Sequence, residues 1–153
     1  MDYESIAEGY NELYEEEQVE KLEEIKKRIK VKESDLLLDV GCGTGISTNF
    51  FKCKSVGIDP SREMIKRGKG ILVEAEAEHL PFKSNSFNIV LSVTALQNFK
   101  DYKKGVEEME RVSKGKIIIT VLKKAIKIRE IEEFLLRKSF KKEELKKDFL
   151  FIL

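Results

Sequence analysis

Short apolar runs alternate with amphipathic segments along most of this chain. Over residues 16–30, apolar side chains recur every three or four positions among charged ones, which predicts an amphipathic helix. Residues 36–40 (LLLDV) form a mostly apolar run that stops at Gly41, as expected of a buried parallel strand. The chain therefore begins with a helix that leads into a strand.

The same alternation of helix and strand patterns continues as far as residue 122. The further helices are predicted at 46–51, 61–67 (ended by Gly68) and 101–112 (capped by Asp101). The further strands are predicted at 55–59, 71–74, 87–93 and 116–122. Because each crossover helix returns the chain to the same edge of a sheet, the pattern predicts an α/β fold with a mostly parallel sheet covered on both faces.

The C-terminal part allows two interpretations. Residues 125–138 follow a helical pattern, and residues 140–145 and 149–153 predict two strands joined by a turn at 146–148. A continuing helix is the alternative, because the segment KKEELKK consists of good helix formers and no glycine marks the turn. We favour the hairpin.

Length, composition and charge restrict the class of protein. The 153 residues are enough for one core, no linker divides them, and 41% hydrophobic residues are typical of a globular protein. No apolar run approaches the ~18 residues of a membrane span, and the acidic N-terminus lacks a secretory pattern, so a cytoplasmic protein is expected. With 29 basic and 28 acidic residues, the chain carries no strong nucleic-acid signal.

The segment LLLDVGCGTGIST at residues 36–48 carries the candidate chemistry. Glycines at 41, 43 and 45 permit a tight turn and remove the Cβ atoms that would keep a nucleotide away, and a following helix would offer free amide donors. A dinucleotide fingerprint would need its third glycine at position 46, where Ile46 stands, and no Gly-Lys-Ser/Thr follows to make a P-loop. The turn therefore predicts a nucleoside pocket that is not typical of NAD or ATP.

In these residues the chain resembles the class I S-adenosylmethionine-dependent methyltransferases, whose first motif is an acidic residue followed by G-x-G-x-G. Asp39 and the three glycines match that motif, and further matches are VGIDPS (56–61), AEHLPF (77–82) and NSFNIVLSVTALQNF (85–99). The similarity covers about residues 36–122 and is greatest to the small methyltransferases of ubiquinone and menaquinone biosynthesis. It implies S-adenosyl-L-methionine as the cofactor.

The resemblance also implies the architecture. A Rossmann-like, doubly wound sheet of seven strands is expected, in the order 3-2-1-4-5-7-6 with the last strand antiparallel. The chain is then a single methyltransferase domain over residues 1–153, with an N-terminal helical cap or lid at 1–31 and the Rossmann-like core at 32–153.

By the same resemblance, particular residues acquire expected roles. Asp59 at the end of the second strand would accept the ribose hydroxyls, and Glu76 would face the adenine amino group beside the Ala77 amide, with Glu78 as a substitute for Glu76. Met64 would pack either against adenine or in the core. The residues expected at the cofactor are Tyr10, Asp39, Gly41, Cys42, Gly43, Asp59, Met64, Glu76, Ala77 and Ser92.

The N-terminal segment YESIAEGYNELY is similar to the aromatic-rich lid of related small methyltransferases. Tyr10 and Tyr14 could present rings to the sulfonium of the cofactor, or they could be ordinary core contacts. The single histidine, His79, lies on the expected adenine side, so we assign it a loop role. Two cysteines without C-x-x-C spacing and one histidine predict no metal site.

The methyl acceptor is not identified by any motif. The signatures of nucleobase amine methylation and of cytosine carbon methylation are absent from the sequence, and Gln97 and Asn98 stand where related small-molecule enzymes have histidines. The expected function is methyl transfer to a small molecule, with an unidentified catalytic residue. The alternatives are a non-catalytic cofactor-binding subunit that activates a partner, or an RNA or protein methyltransferase. A protein partner or a homodimer is left open.

Overall fold

The computed structural model describes the backbone of residues 3–153 and the side chains from residue 12 onward. Its helices are α1 (Tyr3–Lys26), α2 (Arg62–Arg67), α3 (Tyr102–Val112) and α4 (Ile128–Arg137), with a 3-10 turn at Leu96–Asn98. Its strands are β1 (Leu36–Val40), β2 (Lys54–Asp59), β3 (Leu72–Glu74), β4 (Phe87–Val93), β5 (Ser113–Leu122), β6 (Lys141–Glu144) and β7 (Asp148–Ile152).

The strands form one sheet in the order β3-β2-β1-β4-β5-β7-β6. Neighbouring strands from β3 to β5 pair in parallel, and β7 pairs antiparallel with both β5 and β6. The expected α/β class, strand order and antiparallel last strand are confirmed. The carboxyl ends of β1, β2, β4 and β5 therefore meet at one edge of the sheet, where an open α/β sheet binds its ligands.

The C-terminal hairpin is also confirmed. All of β6 is exposed and consists of helix-forming residues, whereas β7 buries Asp148, Leu150 and Phe151. Because β7 gains its burial by pairing with β5, tertiary packing outweighs the local helix propensity of β6, which becomes the outer strand beside it.

Two predicted helices differ from those observed. The first helix extends from Tyr3 to Lys26 instead of over 16–30, and its chain tightens into a turn where Arg28 N–H donates to the Ile25 carbonyl at 2.9 Å. The short helix predicted at 46–51 is wrong, because this segment is a series of turns. There the Asn49 side-chain amide donates to the Gly45 carbonyl at 2.8 Å, which also accepts from the Asn49 backbone amide at 3.0 Å, and to the Lys69 carbonyl at 2.6 Å. The side chain therefore ties this segment to the loop after α2.

Hydrophobic clusters cover both faces of the sheet. One cluster packs α3 and α4 against the sheet through Met109 and Leu135, which are fully buried. The other packs Leu22 and Ile25 of α1 against β1, β4 and β5, and both side chains are fully buried. The second half of α1 is therefore part of the core, although it falls within the segment predicted as a cap. The division into a cap at 1–31 and a core at 32–153 stays a prediction.

Candidate functional site

The glycine turn joins the carboxyl end of β1 to the carboxyl end of β2. The amides of Gly41 and Cys42 both donate to the Ile58 carbonyl, at 2.8 and 2.9 Å. Gly41, Gly43 and Gly45 have φ values of +81°, +55° and +91°, a backbone region that residues with a Cβ rarely adopt. The turn therefore favours glycine at all three positions.

Only one of these glycines borders open space. A Cβ added at Gly41 would lie 2.5 Å from the Cβ of Ala95, and one added at Gly45 would lie 2.6 Å from the Lys69 carbonyl oxygen. At Gly43, in contrast, no heavy atom of the described residues lies within 4 Å of the added Cβ, apart from Gly43 and its two neighbours in the chain. Gly41 and Gly45 thus permit packing within the chain, and Gly43 leaves room for a ligand against the backbone.

Asp59 stands beside this open space, at the end of β2. Its Oδ2 accepts a hydrogen bond from the Gly43 amide at 3.0 Å, and its Oδ1 accepts one from the Ser61 amide at 2.9 Å. An ionised carboxylate has about four lone-pair sites, so about two remain for further donors. The half-buried Asp59 is thus held by the backbone in one orientation and can accept a pair of hydroxyl groups.

Asp39 lies beneath the glycine turn and is 1% exposed. Its Oδ2 accepts a hydrogen bond from the Thr48 hydroxyl at 2.9 Å, and its Oδ1 has no partner among the described residues. Burial, together with the nearby charge of Asp59, raises the pKa of Asp39 to about 7. Asp39 therefore supports the turn from below instead of facing the open space.

Cys42 is buried in the turn, and its thiol is not a nucleophile. Burial, with the charges of Asp39 and Asp59, raises the pKa of Cys42 to about 12. Because the thiolate is the reactive form, this thiol is inert near neutral pH. Cys42 contributes its backbone, whose amide helps to fix the turn.

The residues expected at the adenine are partly engaged elsewhere. Glu76 is exposed and forms an ion pair with Lys100 at 3.1 Å, and Ala77 is buried. Glu78 is 9% exposed, and its Oε2 has no hydrogen-bond partner in the described part of the chain. Met64 is 45% exposed, so its predicted alternative role in the core is wrong. Among these residues, Glu78 therefore has an unpartnered carboxylate oxygen and Met64 has an exposed side chain.

Ser92 and Tyr10 complete the set of expected residues. Ser92 is fully buried, and its hydroxyl donates to the Val40 carbonyl at 2.9 Å, which joins β4 to β1. Its side chain therefore stabilises the sheet at the position where a ligand contact was expected. The side chain of Tyr10 lies outside the described residues.

A polar cluster that the sequence analysis missed lies beyond the ends of β4 and β5. Lys21 of α1 forms an ion pair with the fully buried Asp148, with Nζ and Oδ1 3.0 Å apart, and its ammonium also donates to the Thr94 hydroxyl oxygen at 2.5 Å. The Thr94 hydroxyl in turn donates to Asp148 Oδ2 at 2.8 Å. These residues are far apart in sequence and form no motif, so no sequence signal brings them together.

Thr94 itself has an unusual backbone conformation. Its φ is +52°, which is an outlier for a β-branched residue. The surrounding structure holds Thr94 in this conformation. Its backbone amide donates to the hydroxyl and carbonyl oxygens of Thr120 at 2.9 and 3.0 Å, and its carbonyl accepts from the side-chain amide of Gln97 at 2.9 Å. The next residue is Ala95, which packs on Gly41, so the polar cluster adjoins the glycine turn.

A cavity of about 260 Å³ opens above this cluster, between α1 and the turn from β6 to β7. Its inner wall includes Lys21, Thr94 and Asp148, and its apolar wall includes Leu122 and Leu145. The residues described include no group of three or more His, Cys, Asp or Glu side chains that could hold a metal ion. In the same part of the chain, no helix combines the length and the apolar character needed to cross a membrane.

Comparison with known sequences identifies a family that matches this chain. Residues 38–119 match the model of the methyltransferase domain family. A protein of Methanocaldococcus jannaschii without a characterised function is 33% identical over 145 residues, which cover 92% of this chain and 57% of that protein. The demethylmenaquinone methyltransferase of Corynebacterium urealyticum is 32% identical over 102 residues, which cover 61% of this chain and 44% of the enzyme.

Solved structures share the fold. A SAM-dependent methyltransferase from Aquifex aeolicus superposes with a TM-score of 0.70 at 20% identity, covering 86% of this chain and 87% of its own. A methyltransferase solved in complex with the Haloferax volcanii Trm112 activator gives a TM-score of 0.73 at 19% identity, covering 90% of this chain and 75% of its own. The chain spans between 51% and 60% of the length of three of the curated relatives that it matches.

Proposed function

The chain belongs to the class I S-adenosylmethionine-dependent methyltransferase family, and on that premise we propose that it transfers the methyl group of this cofactor to a small-molecule acceptor. One observation carries the proposal. Gly43 leaves open space against the backbone, directly beside an oriented carboxylate with unused lone pairs, Asp59. A nucleoside with a free ribose fits such a pair, because its hydroxyls are donors and its sugar needs close approach to the turn.

The residues present suit S-adenosylmethionine. Asp59 would accept the ribose hydroxyls, Glu78 would offer its unpartnered Oε2 to the adenine amino group, and Met64 would cover the adenine ring. The cofactor, when bound, supplies a methyl group already activated by a positively charged sulfur. The tasks of the chain are then to bind the cofactor, exclude water and orient the acceptor.

Two observations support a small acceptor. The cavity between α1 and the turn from β6 to β7 is about 260 Å³, just below the ~300–1,000 Å³ of typical small-molecule sites. In addition, the chain is similar to a demethylmenaquinone methyltransferase, a protein whose name refers to a small-molecule acceptor. The similar region covers 44% of that enzyme. The lid proposal for Tyr10 complements this function, because closure over the site would exclude water.

Calorimetry and isotope transfer test the proposal in two steps. We expect S-adenosylmethionine and S-adenosylhomocysteine to bind to the purified chain, and NAD not to bind. Candidate acceptors are then screened with a cofactor that carries an isotope-labelled methyl group, and the label should appear in a small molecule. Binding of NAD in place of S-adenosylhomocysteine would contradict the assigned pocket.

A second candidate function is that of a cofactor-binding subunit that acts with a partner protein. Its support is the edge strand β3, where Ile71 just before the strand is 65% exposed and Val73 within it is 39% exposed. Exposed apolar side chains at a sheet edge are suited to pairing with another chain. The structural neighbour solved in complex with an activator protein is consistent with such an arrangement. Label transfer measured by the chain alone and with candidate partners distinguishes the two functions.

A further inference from the structure

We propose that Glu108 and Arg111 of α3 are positioning residues for the base of the cofactor. They fix the loop of residues 76–82, so that the site prefers adenine, which carries an amino group, over hypoxanthine, which carries a carbonyl group in its place. This inference rests on the proposed function, because that function assigns the adenine contact to Glu78. Glu108 and Arg111 act through this loop and not by contact with the cofactor.

One face of α3 lies along the loop. Positions 105, 108 and 111 are three residues apart, so their side chains share one face of the helix. A Cβ added at Gly105 would lie 3.7 Å from the Cβ of Ala77, so the helix backbone comes close to the loop at this point. One turn further along α3, Glu108 Oε2 accepts a hydrogen bond from the Leu80 amide at 3.1 Å. The helix therefore contacts the loop at successive turns.

Arg111, on the next turn of α3, holds the carbonyl groups of the same loop. Its Nη2 donates to the Leu80 carbonyl at 3.0 Å, and its Nη1 donates to the Phe82 carbonyl at 2.8 Å. Nη2 also donates to Glu108 Oε2 at 2.8 Å, which joins the two side chains to each other. Because a guanidinium is a rigid planar fork, these bonds fix the direction of the loop backbone as well as its distance from the helix.

The two side chains are the polar attachment of this loop to the protein. Within the described part of the chain, the backbone of residues 76–82 makes no hydrogen bond outside the loop except to Glu108 and Arg111. The buried side chains of Ala77 and Leu80 add apolar contacts, but such contacts are not directional. The orientation of the loop backbone therefore depends on Glu108 and Arg111.

Glu78 belongs to this loop, two residues before Leu80. It is 9% exposed, and its Oε2 has no hydrogen-bond partner among the described residues. An oxygen with free lone pairs can accept from the adenine amino group, whereas the carbonyl oxygen of hypoxanthine would leave two acceptors facing each other. Because hydrogen bonds weaken steeply as their angle departs from linear, a rotation of the loop should remove this discrimination.

Calorimetry with two ligands tests the inference. They are S-adenosylhomocysteine and S-inosylhomocysteine, which carry adenine and hypoxanthine. We expect the wild-type protein to bind the adenine ligand at least about tenfold more tightly. In Arg111→Met this preference should fall at least about fivefold, chiefly through weaker binding of the adenine ligand. General loss of structure would weaken both ligands alike, so an unchanged ratio of affinities would overturn the inference.

Further variants separate positioning from stability. Arg111→Lys keeps the charge beside Glu108 but lacks the planar fork, so it should stay folded in urea denaturation and still lose most of the preference. The matched control is Arg137→Met, which breaks an exposed ion pair with Glu133 on α4 and should leave the ratio unchanged. Glu78→Ala should remove the preference by itself, and adding Arg111→Lys should then lower the ratio no further. A further fall in this double variant would overturn the role of Glu78 as the link.

The wild-type measurement distinguishes failure of this inference from failure of the proposed function. If the wild-type protein does not bind S-adenosylhomocysteine, the proposed function fails. If it binds this ligand but shows no preference for adenine, or if Arg111→Met shows the same preference, the positioning role fails while the proposed function stands.

Discussion

Replacing Lys21 by methionine should destabilise the protein strongly, because it leaves a charge buried without its partner. Asp148 is fully buried, and Lys21 is the cation paired with it, at 3.0 Å. Methionine has a similar length but no charge, so the change removes the ion pair with little change in volume. Breaking a buried pair in this way typically costs about 3–5 kcal/mol. Such a loss is a large part of the ~5–15 kcal/mol by which domains are stable.

Urea denaturation followed by circular dichroism measures this effect. The Lys21→Met variant should unfold at a much lower urea concentration with an unchanged slope. In a double variant, Lys21→Met with Asp148→Leu, the unpaired charge is gone, and at least half of the lost stability should return. The matched control is Lys147→Met, which breaks the exposed ion pair with Glu17 and should leave the unfolding midpoint nearly unchanged.

The outcome that refutes this reasoning is equal stability of Lys21→Met and Lys147→Met. It would mean that Asp148 is reached by water or has another partner, so that α1 is not fixed to the sheet by a buried charge. A double variant that is no more stable than Lys21→Met would contradict the assignment of the loss to an unpaired charge.

The remaining predictions concern the cofactor site and the N-terminal segment. Gly43→Val should abolish binding of S-adenosylhomocysteine in calorimetry, since its side chain enters open space, and the φ of +55° should lower the urea midpoint of this variant without unfolding it; unchanged affinity would refute the pocket. Asp59→Ala should weaken binding about tenfold to a hundredfold through loss of about 1.5–3 kcal/mol of hydroxyl bonding, and the exposed His79→Ala should have far less effect. Because the pKa of Asp39 is raised from 3.8 to about 7, the folded protein between these pH values keeps a proton that the unfolded chain has released. The free energy of unfolding should therefore fall as the pH rises from 3.8 to about 7. The urea midpoint of Asp39→Asn should fall less over this range, and an equal fall would contradict the assignment. Removing residues 1–15 should lower methyl transfer more than cofactor affinity, and full activity of the truncated chain would exclude a lid.

Much of the fold was predictable because its signals are local. The run LLLDV before a glycine marks β1 by apolar continuity, and strands predicted at 36–40 and 87–93 have the observed bounds. The glycines of the turn are also a local signal, since a positive φ depends on the residue type itself. In contrast, the helix predicted at 46–51 is wrong, and the Asn49 side chain there bonds to a carbonyl 20 residues away, which no local pattern records.

The candidate site was likewise predictable only in the parts that depend on local sequence. The sequence by itself determined the strand–turn framework, the glycine turn and the position of Asp59, because these follow from residue type and spacing along one continuous segment. Only the tertiary structure decided that Gly43 alone of the three glycines faces open space, that Ser92 is bonded within the sheet, and that Lys21 meets Asp148. The physical reason is that burial and ion pairing depend on which distant segments the sheet brings together, and the strand order, not the spacing of residues, sets those contacts.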